Sequence, residues 1–155
     1  MSMRADSAGT GSGPDVARLL PHRHPFLLVT RIVKHAAEEV WAEWDVGTGE
    51  WWSAGHFPGD PLVPGVLVGE AMAQAAGLVV ALDPSAAPPH AHRPAGFLAR
   101  MELRFHAPVR PPATIALQAR RTTQLGTLHH FEAEAAAGGI RVASGSLVLS
   151  VPAAS

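Results

Sequence analysis

An imidazole and a carboxyl group, His56 and Glu70, stand fourteen residues apart within a stretch, residues 54–82, whose composition predicts a cavity. His56 sits in a loop stiffened by Pro58, Pro61 and Pro64 and loosened by Gly55, Gly59 and Gly65. The chain then enters a run apolar on every side except at Glu70 and Gln74. Pro64-Gly65 predicts the helix start, because proline fits a first helical turn and cannot continue a strand. A helix apolar all round belongs in a core, and Glu70 and Gln74, four apart, share one face of it. A buried carboxylate is costly unless paired, hydrogen-bonded or protonated. The economical arrangement is a cavity lined by this face, with His56 delivered into it by the loop. That makes His56 and Glu70 a candidate acid/base pair, with Gln74 either orienting Glu70 or satisfying helix packing.

Taken singly, these residues are ordinary. A histidine in a loop is usually polar surface and a glutamate on a helix is usually solvated. The apolar neighbours of Glu70 argue otherwise, since a solvated face would carry more polar residues.

The elements that position the pair follow from periodicity. Asp15 can cap a short helix through Leu20, ended by Pro21. Residues 26–35 are apolar and β-branched enough for a strand. Val40, Ala42, Trp44 and Val46 alternate with Trp41, Glu43 and Asp45 as a half-buried strand. Residues 83–94 form a Pro/Ala/His loop, expected to be mobile. Strands are predicted at residues 97–106, from Thr114, after Gly126 and after Gly138-Gly139, giving a four-strand antiparallel meander. One apolar helix wrapped by an antiparallel sheet solves the burial problem, so the fold class is α+β. Residues 1–13 form a flexible Ser/Gly leader, and residues 14–155 a single domain.

Composition excludes several classes. At 155 residues the chain can bury a sizeable core. Its net charge of -1 argues against nucleic acid as a partner. It has no Cys, which removes disulfides, thiolate catalysis and Cys-based metal sites. Only 16% of residues are charged against 47% hydrophobic, so part of the surface is expected to be covered by another subunit. Glu70, Gln74 and two glycines argue against a membrane-spanning reading of the long helix. A cytoplasmic enzyme fits best. His22-x-His24, His90-x-His92 and His129-His130 are too scattered to predict a metal site.

The run His56-Phe57-Pro58-Gly59, Pro61, Pro64-Gly65-Val66-Leu67 and Glu70-Ala71-Met72-Ala73-Gln74 resembles the FabZ-type beta-hydroxyacyl-[acyl carrier protein] dehydratases. The likeness extends through Leu20-Pro21-His22-Arg23-His24-Pro25-Phe26, Gly96-Phe97-Leu98 and Arg104-Phe105-His106-Ala107-Pro108. It implies a hotdog fold of about six strands around one long helix, no metal or cofactor, and substrates on the phosphopantetheine of an acyl carrier protein. It also implies dimers, alone, in higher assemblies or as a heterodimer with a related dehydratase, in which the two catalytic side chains of one site come from different protomers.

Dehydrating a 3-hydroxyacyl thioester needs a base for the C2 proton, an acid for the departing hydroxyl and donors for the thioester oxygen. His56 suits the base and Glu70 the acid. The Gly65 N–H, free in the first helical turn with the dipole behind it, suits the carbonyl. The resemblance assigns the same roles, and glutamate where FabA-like relatives carry aspartate implies dehydration without isomerisation. Phe57, Phe97 and Leu98 are expected around the substrate, and Arg23, Arg100, Arg104 and Arg110 facing an acidic carrier protein. Three departures stand out: Gly69 in place of a bulky aliphatic residue, His24 in place of tyrosine, and Pro111-Pro112 in place of proline-glycine. Together they suggest a specialised acyl chain, such as a polyketide or polyene intermediate. The competing readings are a hotdog thioesterase and a non-catalytic subunit of a partner dehydratase.

Overall fold

A computed structural model describes residues 13–86 and 96–153. In chain order these form α1 (Val16–Leu19), β1 (Arg31–Ala36), β2 (Glu39–Val46), α2 (Gly65–Ala81), β3 (Phe97–Phe105), β4 (Ala113–Leu125), β5 (Leu128–Ala137) and β6 (Ile140–Ser150). The expected leader, apart from Gly13, and most of the 83–94 loop lie outside the described residues.

The six strands make one antiparallel sheet in the order β1-β2-β4-β5-β6-β3. One face of the sheet carries alternate apolar residues, such as Ile115, Leu117 and Ala119 on β4, and these close over α2. The helix is buried along Leu67, Val68, Ala71, Met72, Ala75, Leu78 and Val79, as its apolar circumference requires.

Two expectations are corrected. The meander holds only for β4-β5-β6, because β3 pairs with β6 and β4 pairs with β2. The segment after β3 contains Pro108, Pro111 and Pro112, which donate no ladder hydrogen bond, so it crosses the molecule instead of turning. On its way the His106 N–H reaches the Val142 carbonyl at 2.8 Å, and the Val109 carbonyl takes the Val63 N–H at 2.9 Å. The first strand begins at Arg31, not near Phe26. The N–H groups of Leu28 and Val29 donate instead to the Gln74 side chain, at 2.9 and 3.3 Å, which withdraws them from any ladder.

Gly69 marks where α2 touches β3. A β-carbon there would sit 3.0 Å from the Met101 sulfur and 3.2 Å from Leu103 Cδ1. The glycine therefore serves close helix–sheet packing and opens no extra cavity.

An ionic cluster ties the end of α2 to the sheet. Arg121, 8% exposed, donates to both oxygens of Glu38 at 2.6 and 2.9 Å and to Asp83 at 2.8 Å, with His129 Nδ1 3.3 Å away. The Ser85 hydroxyl, and then the Arg121 guanidinium, hold the Asp83 carboxyl down at about 2, and Arg121 lowers Glu38 as well. Burial, then the Arg121 charge, lowers His129. A carboxyl with a depressed folded pKa stabilises the fold above its unfolded value, 3.8 for Asp83, and loses that contribution as pH falls through about 2. Asp83→Asn is therefore expected to cost on the order of 2 kcal/mol at pH 7, a gap that closes between about pH 5 and pH 2. Denaturant unfolding at each pH checks this; a gap independent of pH contradicts it.

Candidate active site

The loop carrying His56 is locked by its own backbone. The Trp52 carbonyl accepts the N–H groups of Gly55 and His56, both at 3.1 Å. Phe57 and Asp60 exchange N–H···O bonds at 3.1 and 3.0 Å, and the Leu62 N–H closes on the His56 carbonyl at 2.9 Å. His56 Nδ1 lies 3.0 Å from the Leu62 carbonyl oxygen, a pure acceptor, so Nδ1 carries hydrogen and donates. Nε2 is left with a free lone pair. The ring stacks on Phe57, centroids 4.0 Å apart.

Gly65 opens α2 behind Pro64, which has no capping side chain; the first turn carries no acidic residue. The Pro64 carbonyl takes the N–H groups of Leu67 and Val68, while the earlier N–H groups lack partners within the helix. A β-carbon on Gly65 would stand 3.2 Å from the Phe105 ring.

One turn into the helix, Glu70 is half-buried and Gln74 is buried. The Gln74 amide donates to Glu70 Oε1 at 3.0 Å and to the Phe26 carbonyl at 2.8 Å, while its oxygen holds Leu28 and Val29. The Gln74 side chain thus links Glu70 to residues 26–29. His22 Nε2 approaches the same Glu70 oxygen at 3.3 Å.

Glu70, Gln74, Gly77 and Val80 of α2 line a cavity of about 880 Å³, together with Phe97, Leu98, Leu149 and Arg23. Among the described residues, His56, Phe57 and Gly65 are absent from that wall. One chain thus presents two separate halves: an imidazole at the helix start and a carboxyl inside the groove.

The arginines divide. Arg23 donates to the carbonyls of Leu20 and His22, at 2.8 and 2.6 Å, and lines the same cavity as Glu70. Arg100 pairs with Glu102 at 2.8 Å and Arg110 with Asp60 at 3.2 Å, both exposed, and Arg104 is exposed on β3. Exposed pairs contribute little stability. His24 is exposed as well. Among the described residues no three His, Asp or Glu side chains gather as metal ligands; His90 and His92 lie outside them.

Sequence reasoning missed His22 as a site residue. It appeared only inside a motif and a dismissed histidine pair, because its contact with Glu70 spans 48 residues and leaves no periodic trace. It also missed the Arg121 cluster, which joins β4 to Glu38 and Asp83, 83 and 38 residues away in the chain.

A single buried helix, bearing a carboxyl and wrapped by a six-stranded antiparallel sheet, defines a hotdog-fold protein. A FabA-like domain model matches residues 20–146. The chain is 36% identical over 143 residues to the 3-hydroxyacyl-[acyl-carrier-protein] dehydratase FabZ of Syntrophobacter fumaroxidans, covering 90% of this chain and 95% of that protein. It is 35% identical over 138 residues to the FabZ of Lactococcus lactis subsp. cremoris, covering 88% and 92%. Among solved structures it resembles the dehydratase heterocomplex ApeI:P from Xenorhabdus doucetiae, at a TM-score of 0.73 and 22% identity over 89% of this chain and 91% of that one. A hypothetical thioesterase from Streptococcus pneumoniae shares the fold at a TM-score of 0.59 and 13% identity, over 79% and 84%. The chain belongs to the FabA-like family, as one of its FabZ-type dehydratases.

Proposed function

We propose that this chain, as a single domain over residues 14–155, removes water from a (3R)-3-hydroxyacyl thioester on an acyl carrier protein to give the trans-2-enoyl thioester. The setting is fatty-acid or polyketide biosynthesis in the cytoplasm. His56 Nε2 takes the C2 proton, and the electron pair left on C2 forms the C2–C3 double bond as the C3–O bond breaks. Glu70 gives the departing hydroxyl its proton, so water leaves. The Gly65 N–H, at the positive end of α2, steadies the charge that gathers on the thioester oxygen. Gln74 holds Glu70, and Phe57, Phe97 and Leu98 border the acyl chain. The observation that carries this reading is the oriented imidazole, with Nδ1 held by the Leu62 carbonyl, in a chain whose core helix carries one acid/base group, Glu70.

The two halves meet between chains. β3 has β6 on one side only and exposes Phe97, Leu98 and Phe105. Val66 at the start of α2 is 81% exposed. Pairing of this apolar edge with a second copy, or with a related dehydratase as in a heterocomplex, would bring His56 of one subunit toward the Glu70 groove of the other. Carrier-protein docking then falls to Arg23 and to Arg100, Arg104 and Arg110.

Enoyl thioester absorbance appearing without free thiol tests the reaction; thiol release instead would establish a thioesterase. For the assembly, His56→Ala and Glu70→Gln are each inactive alone. Mixed and reassorted one to one, they restore roughly a quarter of wild-type activity, because half the dimers are mixed and each has one intact site. No recovery after confirmed exchange contradicts a shared site.

A further inference from the structure

We infer that His22 is a positioning residue that, together with Gln74, fixes Glu70 so that only its second oxygen faces the substrate. The inference rests on the reading of Glu70 as the proton donor. His22 Nε2 stands 3.3 Å from Glu70 Oε1, and the Gln74 amide donates to that same oxygen at 3.0 Å. Among the described residues, His22 Nδ1 is buried with no hydrogen-bond partner. A buried N–H without an acceptor is rarer than a buried lone pair without a donor, so the ring hydrogen belongs on Nε2, the nitrogen that lies 3.3 Å from Oε1. The His22 ring lies nearly parallel to Phe26, 18° between planes and 6.5 Å between centroids. The next residue's guanidinium bonds back to the His22 carbonyl at 2.6 Å. The ring is thus held from both ends of its peptide segment.

The Gln74 hydrogen bond and the close His22 ring nitrogen together occupy Oε1 and restrict the carboxyl group. Oε2 is left as the oxygen able to carry a proton toward the C3 hydroxyl. Without the His22 donor, a single bond from Gln74 lets the carboxyl group turn about its terminal torsion, which has broad preferences. Productive geometry is then reached less often, while the other residues lining the groove, Phe97, Leu98 and Leu149 among them, are unchanged. The effect belongs in kcat and not in KM.

The test compares two amides of similar polarity. In His22→Gln the amide nitrogen reaches the place of Nε2; in His22→Asn it reaches only the place of Nδ1. Turnover of a 3-hydroxyacyl carrier protein is measured for both, with thermal midpoints. The Gln variant is expected to keep kcat within about fivefold of wild type, and the Asn variant to lose about 10- to 100-fold. Both should keep KM within about twofold. Equal kcat for the two amides, or a loss that appears in KM, overturns the inference while leaving the dehydratase reading intact. A wild type that dehydrates nothing overturns both.

Discussion

Glu70→Gln is expected to lower kcat for dehydration by about 10²- to 10⁴-fold, the usual contribution of a positioned acid or base. The substitution keeps the shape and the length of the side chain. The Gln74 amide can still donate to the new carbonyl oxygen, so residues 26–29 stay tied to α2 through Leu28, Val29 and Phe26. What is lost is the acidic proton the hydroxyl must receive before it leaves as water. KM should stay within about threefold, because glutamine keeps the size of the Glu70 side chain and the other residues lining the groove are unchanged. His56→Ala should cost a similar factor for the complementary reason: the Leu62 carbonyl loses its donor, and no lone pair remains at the Nε2 position to take the C2 proton. Steady-state kinetics with circular dichroism as a control for folding would check both. A Glu70→Gln enzyme within tenfold of wild type would contradict the assignment.

The largest effect on stability is expected at Gly145. This residue lies on β6 opposite Leu103 of β3, and its β-carbon would overlap the Glu102 carbonyl oxygen and stand 3.0 Å from Leu103 Cα. All of these are backbone atoms, which cannot rotate away as a side chain can. Gly145→Ala must therefore push β3 off β6, at a cost at or above about 3 kcal/mol, the upper end for overpacking. For a chain of this size that lowers the melting temperature by roughly 10 °C. Gly49→Ala is the natural control, since nothing lies within 4 Å of its β-carbon direction. Because β3 also carries the exposed apolar edge, the Gly145 variant should lose assembly together with stability. A variant that melts within two degrees of wild type would contradict the close approach.

What the sequence made legible was local. The alternation of β2, β4 and β5, the start of α2 at Gly65 and the Asp15 cap on α1 depend on neighbouring residues and fell where periodicity and capping rules put them. The partnership of β3 did not. Strand pairing across 40 residues, as between Leu103 and Gly145, carries no local signal, and a turn-by-turn reading defaults to a meander. The beginning of β1 was obscured for a related reason. Residues 26–29 have the apolar character of a strand, but the N–H groups of Phe26 and Leu27 go to the Arg23 carbonyl and those of Leu28 and Val29 to Gln74, 45 or more residues away. In the site, motif and composition pointed to His56 and Glu70 and to a cavity along the Glu70 face, but among the described residues the expected delivery of His56 into that cavity is not seen within one chain. The contacts of Glu70 with His22 and Gln74 needed the folded chain. From the sequence Gly69 was only a departure from a bulky aliphatic residue; the positions of Met101 and Leu103 show that it serves close packing.

The most direct measurement follows the mass of a 3-hydroxyacyl carrier protein incubated with the wild-type chain, His56→Ala and Glu70→Gln, by intact-protein mass spectrometry. The account predicts loss of the mass of one water with the wild type and an unchanged carrier with either variant over the same interval. Loss of the whole acyl group, or loss of water that persists in both variants, would contradict it.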